Sequence, residues 1–173
     1  MYKINLEKYA KLLTWSSIYW GIQKSIIKPE SAIQYANKIV EVEPHIDNPE
    51  IIELLITDTQ DREAILSLIN NIIGNNKDKE KSSLKILRYA ILSDVQKNAK
   101  NNQDLLEKAE DIYADFNYPS DMECFISYMP VQDDQYNVSE HTTDENEQRL
   151  IDKFNIFISN EYEWLKKELS KKK

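Results

Sequence analysis

Asp104, Glu107, Asp111 and Asp115 follow one another at spacings of three, four and four residues. A helix through them would carry four carboxylates along one face. Like charges at that spacing cost a helix a few tenths of a kcal/mol per pair, so the row asks for a use. Carboxylates in such numbers can hold a cation, move a proton, or draw in a positively charged partner. The acidity continues through Asp121, Glu123, Asp133, Asp134, Glu140, Asp144, Glu145 and Glu147. Residues 101–147 hold 13 acidic side chains against one basic, Lys108, a net charge of −12. Residues 1–100 sum to +1 and residues 148–173 to +3. The whole negative excess of the chain therefore lies in one segment, and Tyr118 and Tyr136 sit among its charges.

The first two uses lack their supporting residues. A calcium loop needs ordered oxygen spacing and a central glycine, and the run around Asp133, Asp134, Glu140, His141 and Asp144 has neither. His45 and His141 belong to no metal-ligand motif such as His-Glu-x-x-His. A glycosidase-like pair must face across a cleft at a set separation, and nothing in the spacing marks one. Two glycines cannot build a phosphate-binding loop. Cys124 lies in the apolar run Met122–Ile126 without electropositive neighbours, which is the setting of an inert core thiol. The chain is expected to use no metal, no cofactor and no catalytic residue, and not to be an enzyme.

The third use remains. Asp104, Glu107, Asp111, Asp115, Tyr118, Asp121, Glu123, Asp133, Asp134 and Tyr136 form the candidate binding set. Carboxylates steer a basic protein and half-exposed tyrosines anchor it. The competing reading is a solvated face that only keeps the chain soluble. Nucleic acid and anionic lipid both require a concentrated basic surface, so neither is an expected partner. No apolar run approaches the roughly 20 residues of a membrane helix. The N-terminus MYKINLEKYAKLL has no signal-like apolar region. With a single cysteine, the reading is a reduced, cytoplasmic protein.

The elements that must carry these residues are helical. A content of 41% apolar and 30% charged residues with 17 aromatics describes a folded chain, and 173 residues suit one domain. The scarcity of glycine argues against the many tight turns of a β protein. Leu6, Tyr9, Ala10 and Leu13 predict a first helix. Thr14 caps a second, with Ile18, Ile22 and Ile26 on one face. Pro29 opens a third, PESAIQYANKIVEV, and Asn48 with Pro49 opens a fourth, PEIIELLI. DREAILSLINNII makes a fifth, closed by Gly74. The polar run NNKDKEK is a loop, and SLKILRYAILSDVQ a sixth helix. Residues 103–116 make a seventh, with Leu105, Leu106, Ala109, Ile112, Tyr113 and Phe116 inward.

Ser120 and Glu123 have capping-box spacing, which predicts an eighth helix burying Met122, Phe125, Ile126 and Met129 and stopped by Pro130. Residues 131–141 read as a loop. Thr142 and Glu145 then cap a long final helix with Leu150, Phe154, Phe157, Ile158 and Leu165 inward, and residues 170–173 as a frayed tail. Trp15, Tyr19 and Trp20 read as core. The expectation is an all-α single domain over residues 1–173, about nine helices in a bundle or in stacked hairpins.

The stretches TWSSIYWGI, SAIQYANKIV, AEDIYADFNYPSDMECFISYMP and HTTDENEQRLIDKF together resemble a family of small single-domain bacterial proteins of unknown function. In size and acidity the chain is similar to the immunity proteins that protect bacteria from polymorphic toxins. That resemblance implies a toxin with a basic cleft as the partner of residues 101–147. An adaptor recognising another basic cellular protein would need the same surface. The oligomeric state is left open.

Overall fold

Thr14 shows how the helices are set. Its hydroxyl accepts from the Ser17 backbone N–H at 3.2 Å, and the Thr14 N–H reaches back to the Ser17 hydroxyl. Two otherwise orphaned donors are thereby satisfied, and the helix starts where the cap dictates. The computed structural model describes residues 1–75, 78–131 and 136–170, the side chain of Leu169 excepted. The eight α-helices among the described residues are α1 (Leu6–Tyr9), α2 (Trp15–Gln23), α3 (Glu30–Val42), α4 (Pro49–Ile56), α5 (Arg62–Ile73), α6 (Glu80–Asn98), α7 (Asn102–Asp115) and α8 (Thr143–Ser170). Short 3-10 helices cover Ser120–Phe125 and Val138–Glu140. The described residues contain no strand, only one isolated parallel bridge between Tyr2 and Ile27. The protein is all-α. No helix among the described residues is long and apolar enough to cross a membrane.

The helices fall into two compact units, Met1–Ile91 and Leu92–Lys173, with the boundary inside α6. In the first, α2 packs on α5, α5 on α4, and α4 on α3. Ile18, Ile22, Ile27, Leu54, Ile65, Ile69 and Leu87 are fully buried there. Gly21 is required by close approach: a Cβ at that position would lie 2.7 Å from Leu87 Cδ2 and 2.9 Å from Ile27 Cδ1. The Arg62 guanidinium donates to the carbonyls of Ile22 at 3.3 Å and Gln23 at 3.1 Å. It thus satisfies the open C-terminal end of α2. Helix α2 stops at Gln23, so Ile26 lies beyond it, still buried, after a left-handed turn at Ser25 (φ 59°). Helix α3 begins at Glu30, with Pro29 as its cap and not its first residue.

The predicted aromatic core of α2 is half-buried, not fully enclosed. Trp15 meets the Tyr35 ring edge-on at 4.8 Å, and the Trp20 indole N–H donates to the Asp78 carbonyl at 3.3 Å. Tyr35 donates its hydroxyl to the Leu13 carbonyl at 2.9 Å, and burial pushes its pKa up to about 12.

In the second unit, α8 packs on α7 and on the 3-10 helix. Met122, Phe125, Ile126, Ile112 and Phe154 are at most 1% exposed. Phe125 lies edge-on to Phe154 at 5.2 Å and to Phe157 at 5.1 Å. Thr142 and Glu145 form the predicted capping box of α8: the Glu145 carboxylate accepts the Thr142 N–H at 2.8 Å, and Thr142 Oγ1 accepts the Glu145 N–H.

The predicted eighth helix is corrected. Residues 120–125 are 3-10, without a side-chain cap, and Ile126 is already extended (ψ 124°). Met122 and Phe125 are three apart, which places them on one side of a 3-10 helix as well as an α-helix. The contacts that hold the segment are distant ones: Phe125 lies against Phe154 and Phe157 of α8, and Ser127 is held by Glu110. Met129 lies outside the helix and is only half-buried.

Candidate protein-binding site

Asn101 fixes the start of α7 by accepting the Asp104 N–H at 2.8 Å. From there Leu105, Leu106, Ala109, Ile112 and Tyr113 turn inward, which leaves the acidic row outside as its spacing requires. The structure then divides that row. Asp104 is held by Lys108 at 2.7 Å and by the Lys100 N–H at 2.8 Å. The Lys108 hydrogen bond, aided by that backbone donor, holds its carboxyl below the ordinary value. Asp111 and Asp115 are exposed and have no hydrogen bond or ion pair among the described residues. Glu107 turns to the other edge of the helix, where its carboxylate accepts from the neutral amide of Gln103 at 2.9 Å.

Helix α7 ends in an unusual turn. The N–H groups of Phe116, Asn117 and Tyr118 fold back onto the carbonyls of Ile112, Ala114 and Tyr113, each at 2.9 Å. Asn117 (φ 62°) and Tyr118 (φ 55°) are both left-handed. That conformation is routine for glycine and uncommon for tyrosine. Its consequence is visible in the side chains. The Tyr118 ring stands 60% exposed and meets buried Tyr113 edge-on at 5.3 Å. Tyr128, 59% exposed, lies 6.4 Å from the same Tyr113 ring.

Glu110 secures Tyr128's strand of chain by accepting both the N–H of Ser127, at 3.1 Å, and its hydroxyl. Burial, with Glu123 and the neighbouring phenols, raises the Tyr113 pKa. Burial and Glu110 raise that of Tyr128. Both phenols therefore stay protonated at neutral pH and remain hydrogen-bond donors.

Of the remaining candidates, Asp121 is exposed and Glu123 half-buried. Tyr136 is built into a local stack: its ring lies flat on His141 at 4.4 Å, the Arg149 guanidinium covers it at 4.7 Å, and its hydroxyl donates to Asn146 at 2.8 Å. Asp133 and Asp134 lie outside the described residues. Glu110 and Tyr128 join this cluster through Ser127 and Tyr113 and were absent from the candidate set. Tyr128 could have been chosen from its place in the aromatic stretch. The Glu110–Ser127 contact spans 17 residues and leaves no periodic trace.

No cluster of three or more His, Cys, Asp or Glu suited to a metal ion occurs among the described residues. The half-buried Cys124 thiol is pushed up by burial, away from the thiolate a nucleophile needs. The arrangement offers Asp111 and Asp115 without counter-ions among the described residues, and protonated phenols on a ring cluster. Those groups can attract and hold a positively charged surface.

Comparison with curated proteins and with solved structures gave no match. The family model described as an uncharacterized protein conserved in bacteria, DUF2247, matches residues 4–162, and the chain belongs to that family.

Proposed function

We propose that this chain is a protein-binding module of the immunity type, which neutralises a bacterial toxin by covering a basic surface with the outer face of α7 and the tyrosine turn beyond it. The observation that carries the reading is the pairing of two features at one place. Asp111 and Asp115 are exposed without counter-ions among the described residues, and Tyr118 is held outward by a left-handed backbone that a non-glycine residue adopts only at a cost. Unpaired carboxylates raise the rate of encounter with a basic protein. Exposed tyrosine rings supply the apolar area and hydrogen bonds that slow its departure.

The test is growth rescue. The chain is co-expressed with the product of any toxin gene found to neighbour its own, as the parent and as a Tyr118→Ala, Tyr128→Ala variant and an Asp111→Asn, Asp115→Asn variant. The parent should restore growth, and binding to the purified toxin should show faster dissociation for the tyrosine variant and slower association for the amide variant. Parent cells that remain poisoned, with no complex formed, defeat the reading. A stable complex with a basic protein that is not toxic leaves an adaptor instead.

A further inference from the structure

The inner edge of α7 faces α8 across a cleft of about 480 Å³. Leu106, Met129 and Leu150 form part of its wall, and Glu107, Glu110 and Glu147 bring three carboxylates to it. A second hollow of about 430 Å³, lined by Asn101, Asn102, Gln103 and Glu147, shares Gln103 and Glu147 with the first. Glu147 therefore stands where the two meet. It is half-buried and has no hydrogen bond or ion pair among the described residues.

The contrast with Asp104 on the same helix is informative, because that carboxylate has Lys108 beside it. Glu107 has only a neutral amide. The cation that lines the cleft, Arg149, is spread over the Tyr136 ring, and no ion pair joins it to Glu147 among the described residues. Glu107 is exposed at the rim, whereas Glu147 is half-buried. A partly desolvated carboxylate is most stable with a counter-charge, and Glu147 has none among the described residues.

We infer that this cleft receives a basic amphipathic segment of the protein partner, apolar side chains against Met129 and Val138 over the buried Leu106 and Leu150, and a lysine or arginine at Glu147 and Glu107. The inference rests on the protein-binding reading above and names the chemistry of what is bound. Charge complementarity selects the occupant. An apolar segment without cations would leave half-buried Glu147 uncompensated, and a purely charged one would leave the open apolar edge of the cleft, Met129 and Val138, in water.

The probe is a fluorescein-labelled helical peptide of leucine and lysine, titrated by anisotropy into the intact chain. A serine–lysine peptide and a leucine–glutamate peptide of the same length accompany it. The proteins are the parent, Glu107→Gln with Glu147→Gln, and Asp111→Asn with Asp115→Asn, each checked for helix content by circular dichroism. The leucine–lysine peptide should saturate the parent. The groove variant should weaken it about tenfold, the work of about 1.4 kcal/mol, and the outer-face variant about twofold or less. The serine–lysine peptide should bind about tenfold more weakly than the leucine–lysine one.

No saturable binding, or equal binding to parent and groove variant, overturns the inference. Binding that depends on Asp111 and Asp115 alone overturns the groove while leaving the outer-face reading intact. Spermidine that displaces the peptide at lower concentration than the serine–lysine peptide would mark a small-cation site and also overturn it.

Discussion

Replacing Tyr118 by glycine and by alanine in parallel isolates the backbone of the α7 turn from its ring. Both variants lose the edge-on contact with Tyr113, a loss of about 0.5–1.5 kcal/mol, and that term cancels between them. What differs is the main chain. At an ordinary position with negative φ, glycine is less stable than alanine by about 0.5–1 kcal/mol, because its unfolded chain has more freedom. At φ 55°, any residue with a Cβ carries about 1–2 kcal/mol of crowding against its carbonyl, and glycine carries none. The sum reverses the usual order, with Tyr118→Gly more stable than Tyr118→Ala by up to about 1.5 kcal/mol. Urea denaturation followed by far-ultraviolet circular dichroism measures the difference from the two midpoints at a shared slope. An alanine variant as stable as the glycine variant, or more so, would falsify the claim that this turn is strained. The same pair bears on function. Both should weaken the proposed partner binding if the ring is the anchor, whichever folds better.

Two further outcomes are expected. Phe125→Ala should destabilise the second unit by about 3–5 kcal/mol, since Phe125 is fully buried against Phe154 and Phe157. A loss under about 1 kcal/mol, read from the fluorescence of Trp164, would mean that the core closes around the vacancy or that the ring is not enclosed. Glu145 has its pKa lowered below its ordinary value of 4.5 by the Thr142 N–H and hydroxyl. Its folded pKa is thus depressed, so the stability it contributes is present above the unfolded value and is lost as pH falls through the folded one. Acid titration of the parent should show α8 fraying below the ordinary carboxylate range, and Glu145→Gln should flatten that part of the curve. Identical curves would remove the capping box from the account.

How much of this was readable without coordinates depends on the range of the interaction. Within α7, spacing alone assigns Leu105, Leu106, Ala109, Ile112 and Tyr113 inward and Asp111 and Asp115 outward, as found, while Phe116, assigned inward too, is the half-buried C-cap. A helix face is a local property, set by 3.6 residues per turn. The caps at Thr14, Asn48 and Thr142 are equally local, each accepting the N–H three residues on, and those helices begin as the caps predict. Asn101 caps α7 in the same way without having been foreseen, so that the helix begins at Asn102 and not at 103. The segment after Pro119 defeats the same procedure. Ser120 and Glu123 have the spacing of a capping box, yet residues 120–125 form a 3-10 helix. Two hydrophobic residues three apart serve either helix type, and the deciding events are distant ones. Phe125 is drawn against α8, and Ser127 is caught by Glu110 from α7.

That distant contact also explains why the candidate site was only partly legible. A row of carboxylates on a helical wheel looks like one surface, but a neighbour packed on one flank divides it. The C-terminal approach of residues 127–131 and the packing of α8 give α7 an inner edge bearing Glu107 and Glu110. Asp111 and Asp115 remain on its free edge. Asp104 leaves both sets because Lys108 lies one turn further on, at the spacing where opposite charges pair. The acidic segment is therefore two surfaces of different chemistry. One is open and tyrosine-bearing, suited to fast encounter. The other is walled by apolar side chains and is suited to holding what has arrived. A basic protein with a protruding amphipathic segment could use them in that order, with association sensitive to salt through Asp111 and Asp115. Dissociation would be governed at Glu107, Glu147 and Tyr118. Kinetics at two salt concentrations separate the steps: the outer-face amides should change mainly the association rate and its salt slope, and the groove amides mainly the dissociation rate. If both pairs shift the same rate constant to the same degree, the division of the helix is structural only.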